Sequence, residues 1–391
     1  MPTTRVVLRQ GRARPLWFGH PWVYANGVDR VEGKPEPGDV VALVDHDGRF
    51  IGRGFYNPRS QIPIRLCTRA DEPVDAAFFR ARVARARAVR ARLGLPSEQT
   101  NVYRLINSEG DDLPGLVVDI YADTAVAQIT TLGISANRNL IYDALEAELG
   151  VTTIFEIAPA SYAELEGFAA GSRVARGQSR STVEVREDGI ALDVEPLSGQ
   201  KTGMFIDQRE TRARVGALAR GARVLDLYAY AGGFSLAAAR GGAKSVTAVD
   251  SSARAVARTL AHAEKNGVAI EAVEADAFRF LETATPRSFD LLVVDPPKFA
   301  RARKDLDAAR KGYERLNALA MQAAAPGAIL VTCSCSQNVD AETFERIVAA
   351  GAKQSGREVR VFERRGPASD HLLPPGFGEG QYLKVLLCYV V

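Results

Sequence analysis

At 391 residues the chain can hold two or three domains, and 46% hydrophobic with 25% charged residues is the balance of a globular protein. No apolar run reaches the ~20 residues a membrane helix needs, the opening MPTTRVVLRQGRARP lacks a signal-peptide core, and four cysteines are too few for a disulfide scaffold, so a cytoplasmic protein is expected. The net charge of +3 is uneven: residues 1–100 hold 17 Arg and Lys against 10 Asp and Glu, which points to a polyanion partner, nucleic acid before membrane, or simply to a basic surface.

Residues 1–70 alternate short β-like runs with turn signals, as in GDVVALVDHDGRFIGRGFYNP, and predict a small β-barrel module. Residues 71–190 open with the Arg/Ala helix FFRARVARARAVRARLG. Strand candidates GLVVDIY, TAVAQIT and TTIFEIA follow, with the helix ANRNLIYDALEAELG among them and the hairpin STVEVREDGIALDVE at the end. This predicts an α+β middle domain. Plotted at 100° per residue, Arg80, Arg87 and Arg90 fall nearly opposite Arg82, Arg85 and Arg92, so the helix carries no single basic stripe and reads as solvated rather than as an RNA contact.

Residues 191–391 form the third predicted domain. From about residue 200 strands and helices alternate: ARVLDLYAY, GGFSLAAARGG, KSVTAVD, SARAVARTLAHAEKNG, IEAVEAD, AFRFLET, FDLLVVDPP, KDLDAARKGYERLNALAMQAAA and AILVTCSCS. The helix AETFERIVAAGAKQSG and the runs EVRVFERR and QYLKVLLCYVV complete the set. Apolar strands alternating with helices predict a mainly parallel sheet covered on both faces. The last two strands are too close in sequence for a long crossover, so one of them is expected to run antiparallel.

Ligands of such sheets bind beyond the carboxyl ends of the strands. After the first strand, Gly232 and Gly233 open a helix and allow close approach to the backbone. Asp250 ends the second strand, where a carboxylate can accept from ribose hydroxyls. Asp276 ends the third, where it can meet an adenine amino group. Helix N-capping is the ordinary alternative for both. The fourth strand ends in Asp295 of DPPKF. The first turn, AYAGGF, breaks the G-x-G-x-x-G pattern of a dinucleotide-dependent oxidoreductase.

On these residues the C-terminal half resembles the class I S-adenosylmethionine (SAM)-dependent methyltransferases, with a seven-stranded Rossmann-like sheet. The whole chain resembles the RlmI-like 23S rRNA cytosine-C5 methyltransferases: GHPWVY and its surroundings look like their N-terminal PUA domain, and KTGMFIDQR, DPPKF, SCS and EGQYLK stand where their motifs stand. The resemblance implies that the turn 229–233, with Ala229, Gly232 and Gly233, cradles the methionine part of SAM and that Asp226 and Tyr228 also bind the cofactor. It further implies that Asp250 holds the ribose, that Asp276 with Ala277 meets the adenine, that Asp295 lies against the cofactor, and that Phe205 and Gln208 close over it. The implied partner is 23S rRNA or a large-subunit precursor, and a homodimer is compatible with the sequence. No metal is implied, and Cys67, Cys333, Cys335 and Cys388 lack zinc-ligand spacing.

A thiol has a purpose in that chemistry. Cytosine C5 is a poor nucleophile until a thiolate adds to C6 and gives C5 enamine character. Cys335, nearer the crevice end of its strand and aligned with the family SCS, is the expected nucleophile, while Cys333 reads as a small buried residue. Asp295 is placed to meet the N3/N4 edge of the base. Lys298 is placed to lower the thiol pKa or to bind a phosphate. Candidate RNA contacts are Arg5, Arg9, Arg12 and Arg14 in the first module, and Lys298, Arg301 and Arg303 near the chemistry. The base that removes the C5 proton stays unassigned, with Asp370 and His371 in a loop-like stretch as candidates. Two alternatives remain open: an N-methyltransferase, since DPPKF also resembles the (D/N)-P-P-(Y/F) motif, and a non-catalytic RNA-binding assembly factor.

Overall fold

The computed structural model describes residues 4–299 and 306–391, so Arg301 and Arg303 lie outside the described residues. The chain divides into two compact units, Met1–Ile206 with Ser369–Gly378, and Asp207–Ala368 with Glu379–Val391.

The first unit begins with a six-stranded sheet in the order Trp22–Val23, Ile64–Thr68, Phe50–Tyr56, Val40–Val44, Arg5–Leu8, Val28–Glu32. Its pairings are antiparallel except that between Arg5–Leu8 and Val40–Val44. Val6, Leu8, Leu16, Val41, Leu43, Ile51, Ile64 and Leu66 fill its core. A five-stranded sheet follows, Gly171–Arg176, Thr153–Ala158, Thr124–Ile129, Leu116–Tyr121, Val102–Asn107, with the helices Ala76–Arg92 and Arg138–Leu149 supplying buried residues to one shared core. The hairpin Val183–Glu187 and Ile190–Val194 forms its own ladder.

The arginines of helix Ala76–Arg92 are spent locally. Arg80 and Arg87 pair with Glu148, Arg82 with Glu72, and Arg85 with Asp112. Arg90 is fully buried; it forks onto both oxygens of Asp111 at 2.5 and 2.8 Å and donates to the Asp370 carbonyl at 2.6 Å. A buried guanidinium is tolerable only with such complete satisfaction.

The second unit is built on seven strands: β1 (Arg223–Leu227), β2 (Ser245–Asp250), β3 (Glu271–Glu274), β4 (Phe289–Val294), β5 (Ala324–Ser334), β6 (Val359–Arg365) and β7 (Lys384–Val390). Their order is β3-β2-β1-β4-β5-β7-β6. The first five are parallel, and β7 runs antiparallel to both neighbours, which meets the expectation for the closing strands. Alternate residues of β4 serve opposite faces: Leu291 and Val293 join Val224, Val331 and Cys333 in one core, Leu292 and Val294 join Leu225, Leu227 and Tyr313 in the other. Two apolar faces need two helical layers, hence the unbroken apolar strands in the sequence. The helices are α1 (Arg209–Leu218), α2 (Gly233–Arg240), α3 (Ala253–Lys265), α4 (Ala277–Thr283), α5 (Leu306–Ala323) and α6 (Ala341–Ser355). Ser252, Asp276 and Asp340 cap α3, α4 and α6 with their side chains.

Candidate active site

The turn from β1 into α2 has unusual backbone geometry. Tyr228 and Tyr230 both take positive φ, 62° and 51°, a conformation that costs a non-glycine residue and survives only where its surroundings enforce it. Those surroundings are visible: Ala229 N donates to Val249 O at 3.1 Å, Tyr230 N to Asp250 Oδ2 at 2.9 Å, and Thr259 Oγ1 to Tyr230 O at 3.2 Å. The helix α2 has no side-chain cap at Gly232. Asp226, reaching from β1, replaces it by accepting from Ser235 N at 3.0 Å and Ser235 Oγ at 2.6 Å. Asp226 is buried, its Oδ1 has no hydrogen-bond partner among the described residues, and burial, with smaller contributions from Asp295 and Asp250, pushes its carboxyl up to about 7.

The two glycines of this turn have a packing reason beside the ligand-approach one. A Cβ on Gly232, at φ +80°, would meet Thr259 Cγ2 at 2.7 Å, and one on Gly233 would meet Arg212 Cδ at 2.8 Å. The tight docking of α3 and α1 against the turn therefore demands glycine in its own right.

Asp250 is not a helix cap. It accepts from Tyr230 N with one oxygen and from Ser252 N with the other, both at 2.9 Å, so it braces the first turn from the second strand. Asp276 does cap: its Oδ1 accepts from Arg279 N at 3.1 Å, in front of the buried Ala277. Gln208 Nε2 donates to Asp295 Oδ2 at 3.0 Å, bringing these two predicted residues together within the second unit. Phe205 belongs to the first unit, where Lys201 Nζ lies 4.4 Å from its ring centroid.

Cys335 follows the last residue of β5 and is half-buried against the core that holds Val331 and Cys333. Cys333 is fully buried, and burial, aided by the Asp295 charge, pushes its thiol well above the ordinary value. The residues on either side of Cys335 are pinned. Ser334 Oγ donates to Tyr313 Oη at 3.3 Å, Ser336 Oγ lies 3.2 Å from the same oxygen, and Ser336 N donates to Ser334 Oγ at 3.4 Å. On the other side Lys384 Nζ donates to Ser336 O at 2.6 Å and Tyr382 O at 2.8 Å. Sequence reasoning passed over Tyr313 and took Lys384 only as the last residue of EGQYLK, without a role. A further signal for Lys384 was one charge inside the otherwise apolar YLKVLLCYVV.

The remaining candidates are scattered. Lys298 is exposed just after β4. Phe299 packs at 4.6 Å between ring centroids against Tyr313 and stacks at 6.4 Å on Phe278. In the first unit Arg5 pairs with Glu32, Arg9 Nε donates to Val28 O at 3.0 Å, Arg12 is exposed, and Arg14 lies 5.8 Å from the Phe18 ring centroid. Asp370 and His371 are buried in the first unit, with His371 Nδ1 2.9 Å from Asp370 Oδ1 and Arg104 N donating to Asp370 Oδ2 at 2.9 Å.

Comparison with known proteins adds two family models: a PUA-like domain matches residues 6–69, and an S-adenosylmethionine-dependent methyltransferase matches residues 169–361. The ribosomal RNA large subunit methyltransferase I of Shewanella denitrificans is 39% identical over 99% of both chains. The protein of the same name from Photobacterium profundum is 38% identical over 99% of this chain and 100% of its own. The chain belongs to the ribosomal RNA large subunit methyltransferase I family.

Its family fold is also seen in a SAM-dependent methyltransferase of Streptococcus mutans, with a TM-score of 0.83 at 22% identity over 98% of this chain and 99% of that one. As a member of this family the protein is a SAM-dependent methyltransferase. Its residues fit that cofactor: an unpartnered buried carboxylate oxygen on Asp226, and the carboxylates of Asp250 and Asp276 at the ends of adjacent strands, suit a ligand with an ammonium, hydroxyls and an amino group.

Proposed function

We propose that the protein methylates C5 of a cytosine in large-subunit (23S) rRNA, with Cys335 forming a transient bond to C6. Among the four cysteines Cys335 is the one that is not buried, and it stands at the carboxyl end of β5, the end at which such sheets bind their ligands. That observation carries the reading. The names of the family relatives supply the RNA.

SAM supplies the electrophilic methyl group. Asp226 and the Tyr228–Gly232 turn take its amino-acid end, Asp250 its ribose and Asp276 its adenine. The Cys335 thiolate adds to C6, and the displaced ring electrons make C5 nucleophilic. Asp295, held by Gln208, suits the N3/N4 edge of the ring, where its carboxyl can accept from the amino group and orient the base. Lys298, exposed beside it, suits an RNA phosphate. Once C5 carries the methyl group, it loses its proton to a base, the C6–S bond breaks and its electron pair returns to sulfur. The target must be unstacked, which favours single-stranded or loosely paired RNA. Arg12 and Arg14 of the PUA-like module suit backbone phosphates.

The N-methylation alternative would need an aromatic presented to the flipped base, and Phe299 is instead engaged with Tyr313 and Phe278. RNA carrying 5-fluorocytidine tests the reading, because fluorine at C5 blocks the final elimination. Wild-type protein with SAM is expected to give a denaturant-stable protein–RNA adduct, and Cys335→Ala none, with no methyl transfer to ordinary RNA. Methyl transfer retained by Cys335→Ala would favour N-methylation. Absence of transfer by the wild type to any rRNA would favour an assembly factor.

A further inference from the structure

Lys384 is a buried lysine of the second unit that the proposed chemistry has not used. It opens β7, opposite Ser334 in the antiparallel ladder with β5. Its side chain is buried, yet among the described residues no carboxylate lies within ion-pair distance of it. Two of its three N–H bonds go to the carbonyls of Ser336 and Tyr382, at 2.6 and 2.8 Å, and no hydrogen bond among the described residues takes the third. An ammonium in such a place is costly unless a negative charge offsets it.

The surroundings identify that charge. The groups acting electrostatically on Lys384 are Cys335 and Asp340, which favour its charged form, and Lys298, which opposes it. Asp340 spends a carboxylate oxygen on capping α6 through Thr343 N at 2.7 Å. Cys335 lies one residue before the carbonyl that Lys384 grips. Cys335 also acts on Tyr313 and Cys333, and burial raises both of these, which keeps them neutral. Burial also brings Lys384 down to about 8, into the range where a thiol titrates.

We propose that Lys384 is the positioning residue of the nucleophile: its ammonium, clamped to the Ser336 carbonyl, stabilises the thiolate of Cys335. The inference rests on Cys335 being the nucleophile of the proposed reaction. The clamp holds the Ser334–Ser336 turn from one side while the Tyr313 hydroxyl holds it from the other. The same charge serves twice. Before addition it raises the thiolate fraction, and at the end, when the C6–S bond breaks and the pair returns to sulfur, it favours departure as thiolate. No proton need leave Lys384 in either step.

The test reads the thiol directly, without RNA or SAM. Full-length protein is treated with iodoacetamide across pH 5.5–9.5, and alkylation of the Cys335 peptide is followed by mass spectrometry. The wild-type midpoint is expected below the ~8.5 of a free thiol. Lys384→Gln keeps an N–H donor for the two carbonyls but removes the charge, and is expected to raise the midpoint by about 1 to 2 units. Lys384→Arg is expected to restore most of the shift. Far-UV circular dichroism and the melting temperature establish that each variant is folded, and Lys384→Met replaces Lys384→Gln if the amide variant fails this control. Equal midpoints in folded wild type and the charge-free variant overturn the proposal. That result would leave the C5 reading standing, since that reading is tested separately, by methyl transfer and adduct formation in wild type and Cys335→Ala.

Discussion

Asp276 holds two possible roles in one side chain, and they separate experimentally. As a cap it accepts from Arg279 N; as an adenine acceptor it needs its charge. Asp276→Asn preserves capping and should leave the melting temperature nearly unchanged while weakening SAM about tenfold in calorimetric titration, a loss of about 1.4 kcal/mol. Asp276→Ala should add about 1 kcal/mol of destabilisation from the lost cap. Asp226 offers a different readout, since its carboxyl is raised to about 7 by burial. Between its unfolded value near 4 and its folded value the native state binds the extra proton, so stability from this group is present below about pH 4 and is lost as pH rises towards 7. Urea titrations of the SAM-free protein should show Asp226→Asn gaining on wild type over that window. A difference that stays constant from pH 4 to 7 would contradict the raised carboxyl.

At the scale of elements, the β1–α2 turn is held by contacts rather than by flexibility. Gly232→Ala adds a methyl group 2.7 Å from Thr259 Cγ2 and sets a β-carbon at φ +80°. A loss of about 1–3 kcal/mol is expected in denaturant titration, and Thr259→Ser in the same chain should remove the worst contact while leaving the backbone cost and a tight approach to Oγ1 at 3.0 Å. The central parallel strands were legible in the sequence because both of their faces are buried and their runs are largely apolar, whereas the edge strand β3 exposes Glu271 and Glu274 and was marked by its place in the alternation. The carboxylates ending them were legible for the same reason: a charge after such a run marks the strand's exit. Lys384 was legible only as the end of EGQYLK, and its role was not, because that comes from β7 pairing with β5, and its hydrogen-bond partner Ser336 is 48 residues away in sequence. His371 was visible only as a polar residue in a loop. Its enclosure depends on neighbours in the first unit, where Asp370 meets Arg90 across 280 residues of chain.

At the scale of the whole molecule, charge is the quantity to follow. The basic excess of residues 1–100 is partly absorbed, since the arginines of helix Ala76–Arg92 mostly face Glu72, Asp111, Asp112 and Glu148. Arg12 and Arg14, exposed in the PUA-like module, have no carboxylate partner among the described residues. If they hold phosphates, the log–log dependence of RNA affinity on salt should flatten by about 0.7 for each residue replaced by alanine. Fluorescence anisotropy with a single-stranded rRNA fragment measures this. The helix arginines, replaced in the same way, should leave the slope unchanged.

The first unit is completed by Ser369–Gly378, a segment translated after nearly the whole second unit. The Asp370 carbonyl and carboxylate serve Arg90 and Arg104, and the Leu372 carbonyl serves the Asn107 amide at 2.8 Å. On the ribosome, these partners leave the exit tunnel only after residues 207–368 have been made. A nascent chain stopped at residue 206 would therefore carry a sheet whose buried polar groups still await their mates, and pulse proteolysis of such arrested chains should find it open where the finished protein is closed.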